Sequence, residues 1–192
     1  MRDQQAKLNE FVLAQQGYFA TKQAITAGFS SRSHLYHVKT GTWIKAHRGI
    51  YRLAQFPISP EGQYVLWTLW SCNRQGIPQG VFSHQTALSI HELSDVMPAR
   101  LHMTVPPAFR RNVARPKILC LHKAELAKGD IVQLQGFQVV RALRAIVDLL
   151  VEEAESRDHL RQSLQQGLER GLITQGEIRQ HPKFTALQGL LK

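Results

Sequence analysis

The chain has 192 residues, of which 43% are hydrophobic, and this composition excludes a disordered or collagen-like protein. Its 24 Lys and Arg against 14 Asp and Glu give a formal net charge of +10 at pH 7, which favours a polyanionic partner, nucleic acid before an anionic membrane. No apolar run reaches the roughly 18 residues of a membrane span, and the polar start contains no signal-peptide core, so we expect a cytoplasmic protein.

The excess positive charge is concentrated at the N-terminus. Residues 1–53 contain eight basic and two acidic side chains, and hence a net charge of +6, whereas the other 139 residues carry +4. A basic domain at one end of a chain is typical of proteins that bind nucleic acid.

Two short helices are predicted first. The apolar residues Leu8, Phe11 and Val12 have the spacing of an amphipathic helix that ends shortly after them. Thr21 is a suitable N-cap for a second helix, and Gly28 suits the position just after its end.

A third helix and a hairpin complete the N-terminal domain. Ser30 or Ser31 caps the helix, which runs to Gly41. Residues 43–53 have apolar ends around a basic turn that contains Gly49, a pattern that predicts a β-hairpin. Three helices followed by a basic hairpin is the order of a winged helix-turn-helix, which we predict for residues 1–53.

The third helix is the predicted recognition helix, whose exposed face enters the major groove of DNA. At about 100° per residue, Leu35 and Val38 fall on the inward side and Arg32 and Lys39 on the flanks. A merely solvated polar face is the alternative for this helix taken alone, but the adjacent basic wing favours DNA. The predicted DNA-binding residues are Ser31, Arg32, Ser33, Tyr36, His37, Lys39, Thr40, Lys45, His47 and Arg48.

The rest of the chain is predicted to be a second domain. Residues 54–60 contain two prolines and no periodicity, which indicates a linker. Residues 61–192 mix strand patterns, such as 101–105 and 118–122, with amphipathic helices, such as the one that begins near Leu143. We therefore expect an α+β protein, with an N-terminal winged helix-turn-helix followed by a mixed α/β C-terminal domain.

Catalytic and metal sites are not predicted in the second domain. His84 and His91 are seven residues apart and His102 follows on a strand, but no His-Glu-x-x-His motif or evident acidic third ligand accompanies them. The simpler interpretation is that Ser83 caps the following helix and His84 satisfies a turn. We expect no catalytic residue, no metal and no cofactor.

Two clusters of charged residues in the second domain each allow a structural and a functional interpretation. Asp148, Glu152 and Glu153 lie near a helix end with Arg144 four residues before Asp148, which favours an ion pair over a nuclease centre. The loop at residues 106–117 is bounded by prolines and carries Arg110, Arg111 and Arg115. This loop is either a solvated basic loop or a second contact with nucleic acid.

Several segments resemble the AbiEi-type antitoxins of type IV toxin–antitoxin systems. Residues 17–21 and 47–53 (His-Arg-Gly-Ile-Tyr-Arg-Leu) resemble their N-terminal domain, and residues 82–88 and 140–149 resemble later blocks. Thr86 replaces a Ser of the family pattern, and Ala145 replaces a Thr, so that a chemical role for that hydroxyl is not expected here.

The resemblance implies a transcriptional autorepressor that binds repeats in double-stranded DNA at its own promoter. It also implies a C-terminal domain that counters a nucleotidyltransferase-like toxin, without necessarily forming a stable complex with it. A solitary winged-helix regulator with no toxin partner is the first alternative. The second is a nucleic-acid-processing enzyme whose N-terminal domain only delivers it to its substrate.

Overall fold

The computed structural model describes residues 2–93, 95 and 98–191, so that the end residues of the expected domains, Met1 and Lys192, lie outside it. The chain forms two compact units. The first comprises residues 1–80 and 133–137, and the second comprises residues 81–132 and 138–192.

The first unit contains the winged helix-turn-helix. It contains three helices and a three-stranded antiparallel sheet of order β1-β3-β2, and a fourth helix follows. The elements are α1 (Arg2–Ala14), β1 (Tyr18–Ala20), α2 (Thr21–Thr26), α3 (Ser33–Lys39), β2 (Trp43–His47), β3 (Ile50–Leu53) and α4 (Gly62–Trp70). The predicted order of helices and hairpin is confirmed, and β1, which pairs with β3, is an addition to it.

The core of this unit is built around Trp43, which is almost fully buried at the start of β2. The ring of Phe19 meets its indole edge-on at a centroid distance of 4.8 Å, and the ring of Phe29 does so at 5.2 Å. Leu8 and Val12 of α1 belong to the same cluster. The wing and the helices therefore share one apolar core, which fixes the hairpin against the helix-turn-helix.

The wing turn is tied to the start of α2. Gly49 has φ +73°, a left-handed conformation that a glycine adopts without strain, and it lies between β2 and β3. Its carbonyl accepts hydrogen bonds from the backbone N–H of Thr21 at 2.9 Å and from the Thr21 hydroxyl at 3.1 Å. Thr21 is thus the first residue of α2 rather than its N-cap, which is Ala20.

The compact units part after residue 80 and not at the linker expected at residues 54–60. The side chain of Arg52 is buried and donates to the carbonyls of Leu53 and Phe56. Phe56 packs against the apolar core, and the Ser59 hydroxyl donates to Gln16 Oε1 at 3.1 Å. Because these contacts hold the segment to the winged helix, its prolines do not make it a free connection.

The second unit is a mixed sheet of order β6-β5-β4-β8-β7 with helices around it. β4 runs antiparallel to β5 and parallel to β8, and β5 runs parallel to β6. Its elements are β4 (Val81–Phe82), α5 (His84–Ile90), β5 (Leu101–Val105), β6 (Leu119–Lys123), a 3-10 helix (Lys128–Asp130), β7 (Ile131–Gln133), β8 (Gln138–Val140), α6 (Ala142–Val151), α7 (Arg157–Glu169), α8 (Gln175–Gln180) and α9 (Phe184–Leu190).

Amphipathic helices cover this sheet. Ala145, Ile146 and Leu149 are fully buried on one face of α6, so that the amphipathic helix predicted to begin near Leu143 is present. The hydroxyl of Ser156 caps α7 by accepting from the N–H of His159. None of the helices in the described part of the chain combines the length and apolarity that a bilayer crossing requires.

Candidate nucleic-acid interface

Helix α3, the predicted recognition helix, is rotated relative to the orientation expected from the sequence. Leu35, predicted to point inward, is 69% exposed, and that prediction is wrong. His34 takes the inward position with 5% exposure, and its ring contacts Trp43 and Tyr51 at centroid distances of 5.2 and 5.8 Å. An imidazole fills this site because the neighbouring rings are aromatic and pack against its flat face and edge.

The rotation changes which residues face outward. At about 100° per residue, the direction opposite His34 and Val38 is occupied by Arg32, Tyr36 and Lys39. All three are exposed, as are Ser31 and Thr40. Two of the predicted flanking cations therefore lie at the centre of the exposed face, where a recognition helix meets the floor of the major groove.

Ser33 and His37 lie at the edge of this face and are half-buried. The Ser33 hydroxyl donates to the Ser30 carbonyl at 2.8 Å. The His37 ring stacks on Trp43 at 4.6 Å, with an interplanar angle of 17°, and its Nδ1 lies 3.2 Å from Thr42 Oγ1. These contacts within the unit orient both side chains and occupy part of their hydrogen-bonding capacity.

Burial favours the neutral form of both histidines of α3. Burial, and then the charge of His37, lower the pKa of His34 below its ordinary value of 6.5. Burial also lowers the pKa of His37. Arg32, the N-cap of α3, and Lys39 are therefore the permanent positive charges of this helix.

Two of the three predicted DNA-binding side chains of the wing are exposed to solvent. Lys45 and Arg48 are exposed on the hairpin. His47 is half-buried, its ring lies 5.5 Å from that of Trp67, and its Nδ1 is buried without a hydrogen-bond partner among the described residues. The wing tip is therefore an exposed Lys–Arg pair with a histidine that packs behind it.

The exposed cations of α3 and the wing have no partner in the described part of the chain. Within residues 2–93, 95 and 98–191, the side chains of Arg32, Lys39, Lys45 and Arg48 make neither an ion pair nor a hydrogen bond. By contrast, Lys7 of the same unit pairs with Asp3 at 3.1 Å, and Lys22 donates to a backbone carbonyl. We call these four side chains the basic surface, because their charge is available to an outside anion.

The basic loop of the second unit is also open to solvent. Arg110, Arg111 and Arg115 are exposed in the connection between β5 and β6. Exposure is compatible with a solvated loop and with a second nucleic-acid contact, so both interpretations stand.

The histidines that lie together in the structure are not the three that were considered as ligands from the sequence. His91 Nε2 lies 2.8 Å from the Val140 carbonyl, away from His84. His84 instead lies with His102 and with His122, which sequence reasoning missed because β6 carries no motif around it. Ser83 precedes α5 but its side chain makes no cap hydrogen bond; its hydroxyl faces His84 Nδ1 at 2.9 Å, so the predicted capping role is wrong.

The acidic residues near the end of α6 divide into two roles. Arg144 forms the predicted ion pair with Asp148 at 2.8 Å and a second one with Asp130 at 2.9 Å. These two carboxylates raise the pKa of Arg144 although burial opposes them. Glu152 instead contacts His84 and His122.

Comparison with known proteins supports the N-terminal assignment. Residues 6–54 match a family model described as "Transcriptional regulator, AbiEi antitoxin", a description of a regulator and not of an enzyme. The match runs from within α1 to just after β3 and so includes the segments that carry the basic surface. No curated protein matches the chain significantly. Residues 6–54 are therefore similar to a transcriptional regulator of the AbiEi antitoxin family, and this similarity supports a DNA-binding regulator.

Proposed function

We propose that the chain is a sequence-specific transcriptional autorepressor that acts in the cytoplasm as the antitoxin of a type IV, AbiE-like toxin–antitoxin system. The observation that carries the DNA-binding half is the basic surface, in which Arg32, Lys39, Lys45 and Arg48 are exposed and have no partner among the residues that the structure describes. The antitoxin half is supported by the family match and by the resemblance of residues 82–88 and 140–149 to AbiEi proteins.

On DNA, α3 lies in the major groove and the wing follows the adjacent backbone or minor groove. Arg32 and Lys39 can donate hydrogen bonds to guanine edges or phosphates. The Tyr36 hydroxyl, on the same exposed face, can donate a hydrogen bond to DNA or accept one from it. Leu35, exposed beside them, suits an apolar contact such as a thymine methyl group. Lys45 and Arg48 neutralise phosphates and so fix the position of the domain on the duplex.

Autorepression is tested with a reporter gene placed behind the DNA upstream of the chain's own start. We expect the wild-type chain to repress this reporter and the Arg32→Ala/Lys45→Ala/Arg48→Ala variant to lose repression at an equal protein level. Repression that survives in the triple variant would contradict the assignment of these side chains.

The antitoxin function is tested by co-expression with a neighbouring nucleotidyltransferase-like reading frame. We expect that this reading frame alone arrests growth and that the chain restores it, with the triple variant still protective because residues 81–192 are unchanged. Growth arrest that the chain does not relieve would instead leave a solitary regulator.

In this proposal the chain acts by binding DNA and countering the toxin, and not by catalysis. With divalent metal present, we expect no nuclease or nucleotidyl-transfer turnover on DNA, RNA or nucleotides. Clear turnover that is lost in a His84→Ala variant would contradict this proposal and favour the enzyme alternative.

A further inference from the structure

Three histidines of the second unit meet at one point of its sheet, and we call His84, His102 and His122 the histidine cluster. One ring nitrogen of each lies within 4.8 Å of those of the other two. His102 Nδ1 and His122 Nε2 are 3.0 Å apart. The rings of His84 and His122 stack at a centroid distance of 3.6 Å and an angle of 15°.

The fold places these rings together although they are far apart in sequence. β5 and β6 run parallel with His102 beside Cys120 and Thr104 beside His122. Since alternate residues of a strand point to the same face, His102 and His122 share one face of the sheet, two positions apart.

The third ring comes from the first residue of α5. His84 has φ +54°, a left-handed conformation that is uncommon for a residue with a side chain. Strained backbone of this kind persists where the surroundings require a particular side-chain position. Here it holds an imidazole that is only 2% exposed against the two strand histidines.

Hydrogen bonds outside the three rings orient them. The Glu152 carboxylate lies 3.1 Å from His84 Nε2 through one oxygen and 3.5 Å from His122 Nδ1 through the other. Thr104 donates to Ser83 Oγ at 2.8 Å, and Ser83 Oγ lies 2.9 Å from His84 Nδ1. Metal-binding histidines commonly turn their second nitrogen to a carboxylate, which fixes the tautomer. With Glu152 on the other nitrogen, His122 offers Nε2 to a metal, and His84 offers Nδ1, which would exchange its contact with Ser83 Oγ for the metal.

We propose that the histidine cluster is a binding site for a divalent transition metal, Zn²⁺ by its donor set, with His84, His102 and His122 as ligands. Three imidazoles with a fourth position left over are a recurrent zinc arrangement. Tetrahedral zinc with bonds of about 2.0–2.1 Å separates its ligand nitrogens by about 3.3 Å, which is close to the present His102–His122 separation. Glu152, with its side chain 47% exposed, lies at the open side and serves as a positioning residue for His84 and His122.

The electrostatics of the cluster agree with this assignment. Burial, and then the charges of His122 and His84, lower the pKa of His102 to about 4. Burial, and then the charge of His84, also lower the pKa of His122. Neutral imidazole is the form that binds a metal, so the direction of both shifts is compatible with the site, which rests on the geometry of the three rings.

The test uses the full chain without a polyhistidine tag, stripped with a chelator and then titrated with Zn²⁺ alone, with bound metal measured by mass spectrometry. We expect one Zn²⁺ per chain, a rise in melting temperature of about 5 °C in saturating metal, and intense visible absorption when Co²⁺ replaces it. His102→Gln and His122→Gln should each weaken binding at least 100-fold. The control His159→Gln changes an exposed histidine of α7 that pairs with Glu155, and should bind like the wild type.

No stoichiometric binding by the wild type, or wild-type affinity in both cluster variants, would overturn the proposal. Circular dichroism shows whether the two variants fold. If they do not, Glu152→Gln at its half-exposed position decides: affinity about 10- to 100-fold weaker supports the site, and unchanged affinity contradicts it. DNA binding enters none of these readouts, so the outcome is independent of the proposed repressor function.

Discussion

The salt dependence of DNA binding measures directly whether the basic surface contacts phosphates. Each phosphate that a cation neutralises contributes about 0.9 to the slope of log K against log salt on double-stranded DNA. Arg32, Lys45 and Arg48 have no internal partner in the described structure, so their full charge is available to the duplex. Replacing all three with Ala should therefore make the slope less steep, by about 2.7 in magnitude.

The same arithmetic gives the loss of affinity. With binding at about 1 M salt as the common reference, the loss of three phosphate contacts lowers the affinity at about 0.1 M salt by about 500-fold. We would measure this by fluorescence anisotropy of a labelled duplex from the chain's own upstream region, between about 50 and about 200 mM salt.

A matched triple variant separates these contacts from net charge. Lys128, Arg179 and Lys183 are exposed cations of the second unit, and their replacement with Ala removes the same three charges. This control should retain the wild-type slope. If the slope of the basic-surface variant equals that of the wild type, the reasoning from unpaired cations is refuted.

Three further predictions follow from the burial and charge of particular residues. Leu35→Ala should change the free energy of unfolding by less than about 0.5 kcal/mol, whereas Leu8→Ala in the core should cost about 2–5 kcal/mol in urea denaturation; a core-sized loss at Leu35 would contradict the rotation of α3. Because burial lowers the pKa of His34, the unfolded chain takes up its proton first, so the stability of the first unit, complete above about pH 6.5, should fall as the pH drops toward the lowered pKa. His34→Leu should flatten this dependence, and an equally steep profile in that variant would exclude His34 as its source. If the exposed loop of the second unit makes a second DNA contact, the variant that replaces its three arginines, Arg110, Arg111 and Arg115, with Ala should show a less steep salt dependence of binding. An unchanged salt dependence would show that the loop is only solvated.

The winged helix could be predicted from sequence because its signals are local. The spacing of Leu8 and Val12, the Gly28 stop and the basic turn at Gly49 each act over a few residues, and the structure contains all three. The rotation of α3 could not be predicted in this way. A hydrophobicity pattern assigns leucine to the core before histidine, but His34 is inward because the aromatic rings of Trp43 and Tyr51 meet there.

The features that sequence reasoning missed depend on pairing between distant segments. β1 is three residues long and exists because it pairs with β3. Arg52 counts as a surface charge in the sequence, yet its guanidinium is buried against the carbonyls of residues 53 and 56. The histidine cluster joins residues from α5, β5 and β6, and only the parallel register of the two strands brings His102 and His122 together.

The most direct test of the central claim is competition binding at about 0.15 M salt. The chain is bound to its own upstream duplex and displaced either by the same duplex or by one of equal length and composition in scrambled order. A sequence-specific repressor should prefer its own sequence by at least about 1,000-fold. Equal displacement by both duplexes would show that the basic surface binds DNA without reading it, and would contradict the proposed autorepressor.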